Sequence, residues 1–211
     1  MSRLLTFATV CAFLTLLGAP TTSAFSPYEN YLRSGQPTHV GLIAEIEPQQ
    51  LAAFGQRITR CREPRIREAL AQAGITNLQA FTRTIDGHDY GVLYFSRAGD
   101  RDYLKAAAEF EQATSSVDWE QVTTAHPRAA SYGRHWLQME WINFIRGVDV
   151  DRSPTQTLML GTTIIPSMEF RYRTLHQTTW PGVVDQVIRG KIRNLNIFLV
   201  ELDEQLVEFL Y

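Results

Sequence analysis

Three side chains with complementary chemistry follow one another at a spacing of four residues: Tyr172, His176 and Trp180. In an α-helix each step of four advances roughly 40° around the axis, so a helix here places all three on one face. An imidazole exchanges protons near neutral pH, a phenol donates or accepts a hydrogen bond, and an indole covers an apolar sugar face. The row therefore indicates a sugar site, although an aromatic stripe at helical spacing is also typical of a buried core.

One predicted helix over residues 166–190 carries this row. The apolar pattern predicts one strand before the helix and two after it, over 157–165, 195–202 and 205–211. Residues 147–156, GVDVDRSPTQ, are rich in turn-forming residues and poor in apolar ones, which predicts a linker before this unit.

Residues 39–146 are predicted to form an earlier unit, with elements in the order strand, helix, strand, strand, helix, strand. The predicted strands span 39–47, 77–85, 90–96 and 136–145, and the predicted helices span 48–73 and 100–119. This order is that of the ferredoxin-like split βαβ arrangement, an antiparallel sheet with helices on one side.

A shift of 117 positions lays the unit at 157–211 over the unit at 39–146. The identical pairs are Pro64 and Pro181, Ile75 and Ile192, Asn77 and Asn194, Leu78 and Leu195, Phe81 and Phe198, and Asp86 and Asp203. Because the order of strands and helices repeats along with these residues, we predict an α+β fold of two tandem ferredoxin-like units. The second unit is predicted to be truncated, since the sequence stops in or just after its third strand.

The composition is that of an ordinary globular protein with one or two small domains: 211 residues, 45% of them hydrophobic and 20% charged. The formal net charge is −2 and no run of Lys or Arg occurs, which argues against nucleic acid and anionic membrane surfaces as partners. The five histidines show no paired ligand spacing and no Gly-rich phosphate loop occurs, so we expect neither a metal nor a cofactor.

The first 24 residues are predicted to be a secretory signal peptide. Arg3 gives a basic start, residues 4–17 form an apolar run, and Thr22-Ser23-Ala24 offers small residues for cleavage before Phe25. The run is shorter than the roughly 20 residues of a spanning helix, which favours export over a membrane anchor. We therefore expect a secreted or periplasmic protein with no membrane partner after cleavage, and residues 25–38 form a polar leader into the fold.

The segment YRTLHQTTWP, residues 172–181, followed by IRNLNIFL, residues 192–199, resembles the L-rhamnose mutarotase family. Members of that family carry a row of Tyr, His and Trp-Pro on the first helix and then a strand of the Asn-x-x-Ile-Phe/Tyr type. The first unit resembles the family in layout, but Gly55, Thr59 and Glu63 stand at the positions of the aromatic row. We therefore interpret the first unit as a degenerate copy.

The resemblance implies a dimeric α+β barrel, in which two ferredoxin-like units pack sheet against sheet. It also implies an isomerase that interconverts the α and β anomers of L-rhamnose or a related deoxy sugar by general acid/base ring opening, without metal or cofactor. By the same resemblance His176 is the proton donor, Tyr172 is a second polar group on the substrate, and Trp180 is a wall of the site. Trp119 falls near the family's aromatic pair in the second helix and is expected to bind substrate as well. A homodimer is a further expectation.

Two other functions stay open on this sequence. One is a non-catalytic module that binds a sugar or mediates assembly on the same barrel, and the other is a small-molecule oxygenase of the same barrel type. The mutarotase and the non-catalytic module differ in whether groups of the first unit, such as Trp119, close a cavity over His176.

Overall fold

The computed structural model describes residues 36–99, 101–147, 156–177 and 179–211. The predicted signal peptide, nearly all of the predicted leader and most of the predicted linker lie outside these ranges, as does Asp100. Within the described ranges the chain forms two antiparallel sheets, a set of α-helices and several short 3-10 turns.

The first half of the chain forms sheet A. Its strands are β1 (Thr38–Ile46), β2 (Ile75–Ile85), β3 (His88–Arg97), and the two-residue strands β4 (Thr123–Thr124) and β5 (Leu137–Gln138). The order is β2-β3-β1-β4, β5 also pairs with β1, and every pairing is antiparallel. Sheet A is thus consistent with the predicted ferredoxin-like arrangement, with two short strands beside β1.

The helices of the first half are α1 (Leu51–Arg60), α2 (Pro64–Gln72), α3 (Ala106–Ala113) and α4 (Pro127–Ala130). The predicted helix over 48–73 is two helices, because a proline disfavours helical geometry in the residue before it. Glu63, which precedes Pro64, accordingly has a ψ of 140°. The predicted helix over 100–119 is also shorter, since 3-10 turns flank α3 and Asp118 adopts a left-handed φ of 57°.

The second half forms sheet B. Its strands are β6 (Glu140–Gly147), β7 (Leu160–Ile164), β8 (Arg193–Leu202) and β9 (Gln205–Leu210), antiparallel in the order β6-β8-β9-β7. The single strand predicted over 136–145 is two strands. The chain leaves sheet A at the end of β5 and, after one intervening residue, enters sheet B at the start of β6. This crossing joins the two halves. Among the described residues β7 pairs with β9 alone, so β7 is the other edge of sheet B.

Two helices, α5 (Glu169–Gln177) and α6 (Pro181–Arg189), replace the single helix predicted over 166–190, so that prediction is wrong. Trp180 precedes Pro181 and has a ψ of 139°, outside the helical region, because of the same proline effect. Tyr172 and His176 therefore share α5, whereas Trp180 stands at the start of α6 and does not continue their row.

Two hydrophobic cores hold the layers together. The first lies between sheet A and its helices and includes Phe54, Phe110 and Trp119. The second lies between the two sheets and includes Tyr94 of sheet A and Phe198 of sheet B. Sheet A therefore has helices on one face and sheet B on the other, while α5 and α6 lie on the outer face of sheet B. The result is a mixed α+β fold with facing antiparallel sheets, consistent with an α+β barrel.

None of the helices within the described ranges combines the length and the hydropathy that a membrane-spanning helix requires.

Candidate functional site

A groove of about 1320 Å³ runs between α5, the neighbouring strands of sheet B and the loops of the first half. α5 contributes Glu169, Arg173 and His176, which share a helix face because they are spaced by four and then three residues. Trp141 of β6 and Tyr103 of the first half contribute aromatic rings to the same groove. Groups from both halves of the chain therefore line the groove that contains His176.

The imidazole of His176 has a fixed orientation. Its Nδ1 lies 2.9 Å from the backbone oxygen of Tyr172, one turn earlier on α5. A carbonyl oxygen can only accept, so Nδ1 carries the proton and donates it, and in the neutral ring Nε2 holds the lone pair. No hydrogen bond from Nε2 to another described residue is present. His176 therefore offers the groove a nitrogen that can accept and return a proton.

Tyr172 supports His176 rather than facing the groove. Its ring lies against the imidazole, with centroids 4.1 Å apart, and it is not among the residues that line the groove. The buried hydroxyl lies near the carboxylate of Glu208 on β9 without reaching hydrogen-bond geometry. Burial, and then that carboxylate, raises the pKa of Tyr172 far above its ordinary value, so the phenol stays protonated.

The two predicted tryptophans, Trp119 and Trp180, do not line the groove that contains His176. Trp180 is 62% exposed at the start of α6 and does not line the groove. Trp119 is 4% exposed in the core between sheet A and its helices, where its Nε1 donates to Thr114 Oγ1 at 3.0 Å. The expectation that Trp119 closes the site is therefore corrected, because Trp119 packs on the far face of sheet A. Among the aromatic residues that do line the groove are Trp141, which is 8% exposed, and Tyr103 and Phe144, which are half-buried.

Side-chain contacts on both sides of His176 fasten α5 to the edge strand β6. Nη1 of Arg173 lies 2.6 Å from Oε2 of Glu140. Just beyond α5, Nδ2 of Asn143 donates to Oγ1 of Thr179 at 2.9 Å. An exposed ion pair contributes only about 0–1 kcal/mol, so this contact acts more on the position of α5 than on stability.

A buried polar chain behind the groove escaped the sequence analysis. Trp141 Nε1 donates to Asn196 Oδ1 at 3.0 Å, and Asn196 Nδ2 donates to the Tyr94 hydroxyl at 3.3 Å. Nδ1 of His39 lies 2.7 Å from that hydroxyl, and burial lowers the pKa of His39 to about 4. His39 is therefore neutral near pH 7 and accepts the Tyr94 proton. The sequence does contain a signal for this network, because its polar residues stand at inward positions of otherwise apolar strands.

No group of three or more His, Cys, Asp or Glu side chains within the described ranges has a geometry that could hold a metal ion. The histidines found in the described loops have protein partners instead. Nε2 of His126, for example, lies 3.2 Å from the backbone oxygen of Glu201.

Comparison with known proteins adds little to this picture. No protein-family model matches the chain, and no curated protein matches it. One solved structure that is similar is that of a Fusobacterium nucleatum protein named "putative monooxygenase". The two are 11% identical, the match covers 82% of this chain and 74% of the other, and the TM-score is 0.44.

Proposed function

We propose that this chain is an L-rhamnose mutarotase-like isomerase, which binds L-rhamnose or a related deoxy sugar in the groove and interconverts its anomers. The proposal depends chiefly on one observation: His176 lines the groove while its Nδ1 proton is held by the Tyr172 carbonyl. Its Nε2 is thereby free to exchange a proton with a bound ligand. The resemblance of residues 172–181 to the family motif indicates which sugar to test first.

The reaction needs two proton transfers and one bond cleavage. His176, protonated on Nε2, donates that proton to the ring oxygen, and the bond between this oxygen and the anomeric carbon breaks. The anomeric hydroxyl gives its proton to water or to a groove carboxylate such as Glu140, which leaves an open-chain aldehyde. After rotation about the adjacent carbon–carbon bond, the reverse transfers close the ring as the other anomer.

In this proposal Tyr172 is a positioning residue. Its carbonyl fixes the tautomer of His176 and its ring limits the rotation of the imidazole, while its hydroxyl lies near Glu208. The half-buried rings of Tyr103 and Phe144, which line the groove, contact the apolar face of the sugar.

Saturation-transfer NMR on the anomeric protons of L-rhamnose tests the proposal, because it reports binding and exchange together. We expect wild-type protein to exchange the two anomers faster than buffer alone. Binding without faster exchange, for L-rhamnose and for related deoxy sugars, would contradict the isomerase.

Sugar binding without faster exchange would favour a non-catalytic sugar-binding module. A specific observation makes this the second candidate: of the three motif side chains, only His176 lines the groove. The Tyr172 hydroxyl is buried near Glu208, and Trp180 is exposed elsewhere.

We further propose that the two halves are tandem copies of one ferredoxin-like unit. α6 at 181–189 lies 117 positions after α2 at 64–72, so their bounds correspond residue for residue. Left-handed backbone conformations recur at the same shift. The pairs are Gly74 and Lys191, Asn77 and Asn194, Asp86 and Asp203, and Gly87 and Glu204. Positive φ is uncommon for residues other than glycine, so a recurrence at four positions supports a shared origin.

We also propose a homodimer formed through the edge strand β7. Its described backbone pairs with a strand on one side alone, and the large apolar side chains of Leu160 and Ile165 beside it are exposed. An unpaired edge with apolar neighbours favours association with a second copy. Light scattering across a wide concentration range should show a dimer, and a monomer throughout would contradict this.

Export is the remaining proposal and rests on residues 1–24, which lie outside the described ranges. Protein made with its own N-terminus should be recovered from the periplasm or medium with Phe25 first by mass spectrometry. A chain that keeps residues 1–24 would contradict it.

A further inference from the structure

The groove is larger than one sugar ring requires. Its volume is about 1320 Å³, whereas pockets for whole drug-sized ligands span roughly 300–1,000 Å³. A deoxy hexose is smaller than such a ligand. The proposed monosaccharide therefore occupies only part of the groove, and the rest needs an explanation.

His176 lies toward one end of the groove. Arg173 of α5 pairs with Glu140, and Thr179 beyond α5 bonds Asn143, so His176 lies beside the part of β6 between these two residues. β6 runs antiparallel to β8, which continues along the groove past Glu140.

The groove extends in that direction to α4. Glu140 is opposite Leu199, and Glu201 is two residues further along β8, about 7 Å at the usual rise per residue. Glu201 pairs with Arg128 of α4 at 3.6 Å, and both line the groove. Tyr132, just after α4, lines the same groove and is 81% exposed.

These far-end groups have no part in the chemistry at His176. A tyrosine that is 81% exposed contributes little to a core, but its ring can stack on the apolar face of a sugar. The charged pair of Arg128 and Glu201 can exchange hydrogen bonds with sugar hydroxyls. An aromatic ring beside such a pair is suited to a second sugar ring.

We propose that the groove binds the reducing end of an oligosaccharide, an inference that rests on the proposed function. The reducing-end ring lies at His176, where its free anomeric hydroxyl allows ring opening. The next rings, attached through another hydroxyl of the first, extend toward Arg128, Glu201 and Tyr132. The substrate class is thus a short deoxy-sugar oligosaccharide with a free reducing end.

Titration calorimetry on the full chain tests this with L-rhamnose and with a rhamnose trisaccharide that has a free reducing end. We expect the trisaccharide to bind on the order of ten-fold more tightly, since at least one additional aromatic contact forms. Tyr132→Ala should bring the ratio of the two dissociation constants close to one. Phe170→Ala is the matched control, because Phe170 is 84% exposed and does not line the groove, and it should keep the wild-type ratio.

Equal affinity for the two sugars in wild-type protein would overturn the inference, and so would an equal loss of preference in both variants. Anomer exchange of the same two sugars, followed by NMR, tests the proposed function separately. Tight trisaccharide binding without exchange would reject mutarotation and keep the oligosaccharide groove. Exchange of L-rhamnose with equal affinities would keep mutarotation and reject the groove assignment.

Discussion

The helices on sheet A and those on sheet B share a backbone layout but differ in what they bury. α1 and α2 bury Phe54, Ile66 and Leu70 against sheet A. In α6 only Val187 is buried, and Phe170 of α5 is 84% exposed. The same local arrangement thus gives a packed layer in one half and a largely exposed layer in the other.

The difference follows from what packs beside each helix pair. In the first half α3, Trp119 and Trp136 fill the space next to Phe54 and complete a core. On sheet B, α5 has the sequence EFRYRTLHQ and faces the groove with charged and polar groups. The helices of the first half therefore bury a packed core, whereas α5 presents polar side chains, among them the proposed catalytic His176, as expected when sites lie in less stable regions.

The largest effect is expected when the imidazole of His176 is removed, and it should appear in the rate of anomer exchange. His176→Ala deletes the proposed proton donor, and a water in its place is a poorer one, so anomer exchange should fall about 10²–10⁴-fold. Thr59→Ala is the matched control at the corresponding position of α1, where Thr59 Oγ1 donates to the Gly55 carbonyl at 3.1 Å. Exchange is measured by NMR, with circular dichroism to check folding. Unchanged exchange in folded His176→Ala would reject His176 as the acid.

A truncation in the first-half core should affect stability instead. Phe54 is 1% exposed, so Phe54→Ala should lower the free energy of unfolding by about 3–5 kcal/mol. Phe170→Ala on α5 should change it by less than about 0.5 kcal/mol, since the ring is exposed. Urea denaturation measures both. Similar losses in the two variants would show that the second helical layer is packed as tightly as the first.

The buried hydrogen-bond network between the sheets, which includes His39, should make the free energy of unfolding depend on pH. Burial lowers the pKa of His39 from 6.5 to about 4, so the unfolded chain binds more protons than the folded chain between these values. This contribution is present above pH 6.5 and is lost as the pH falls toward 4, with a total on the order of 3 kcal/mol.

Urea denaturation at several pH values between 4 and 7 measures this loss. His39→Asn is the control, because asparagine Oδ1 can still accept the Tyr94 hydroxyl proton at the position of Nδ1 but does not titrate. The variant should show a flatter pH dependence. The same slope in both proteins would assign the effect to other groups.

A substitution of Trp119 should have a moderate effect on the free energy of unfolding and none on sugar binding. Trp119→Phe removes the hydrogen bond to Thr114 and leaves unfilled space, so the free energy of unfolding should fall by about 1–3 kcal/mol. Sugar affinity should not change, because Trp119 is buried in the core between sheet A and its helices and does not line the groove. A folded variant with weakened sugar binding would contradict this and would show that Trp119 contributes to the sugar site.

The smallest effect is expected at Trp180. Its spacing from His176 predicts a wall of the sugar site, but the ring is 62% exposed at the start of α6. Trp180→Ala should therefore change sugar affinity and stability by less than about 0.5 kcal/mol each. A loss of sugar affinity near 1 kcal/mol or more would support the wall that the family resemblance implies.

Several elements could be predicted well because their signals are local. The strand predicted over 39–47 is β1 at Thr38–Ile46, and the one over 90–96 lies within β3 at His88–Arg97. Alternating apolar residues and turn residues define such strands without reference to the rest of the chain. The strand over 136–145 was less accurate, since its division between two sheets depends on partners far away in sequence.

The candidate site was predictable in part. Residue spacing and the family motif identified His176, which lines the groove, and its neighbour Tyr172. Spacing also implied that Trp180 continues the row, whereas Pro181 ends the helical geometry first. That break had a local signal, because the effect of proline on the preceding residue depends on the sequence alone.

The sequence by itself determined the helix breaks before Pro64 and Pro181, the main strands and the position of His176 on a helix. These features follow from steric and hydrogen-bonding preferences between near neighbours in the chain. Only the tertiary structure decided that Trp119 is buried, that Tyr103 lines the groove, and that the Tyr172 hydroxyl lies near Glu208. Burial depends on which distant segments pack together, and no local pattern specifies that pairing.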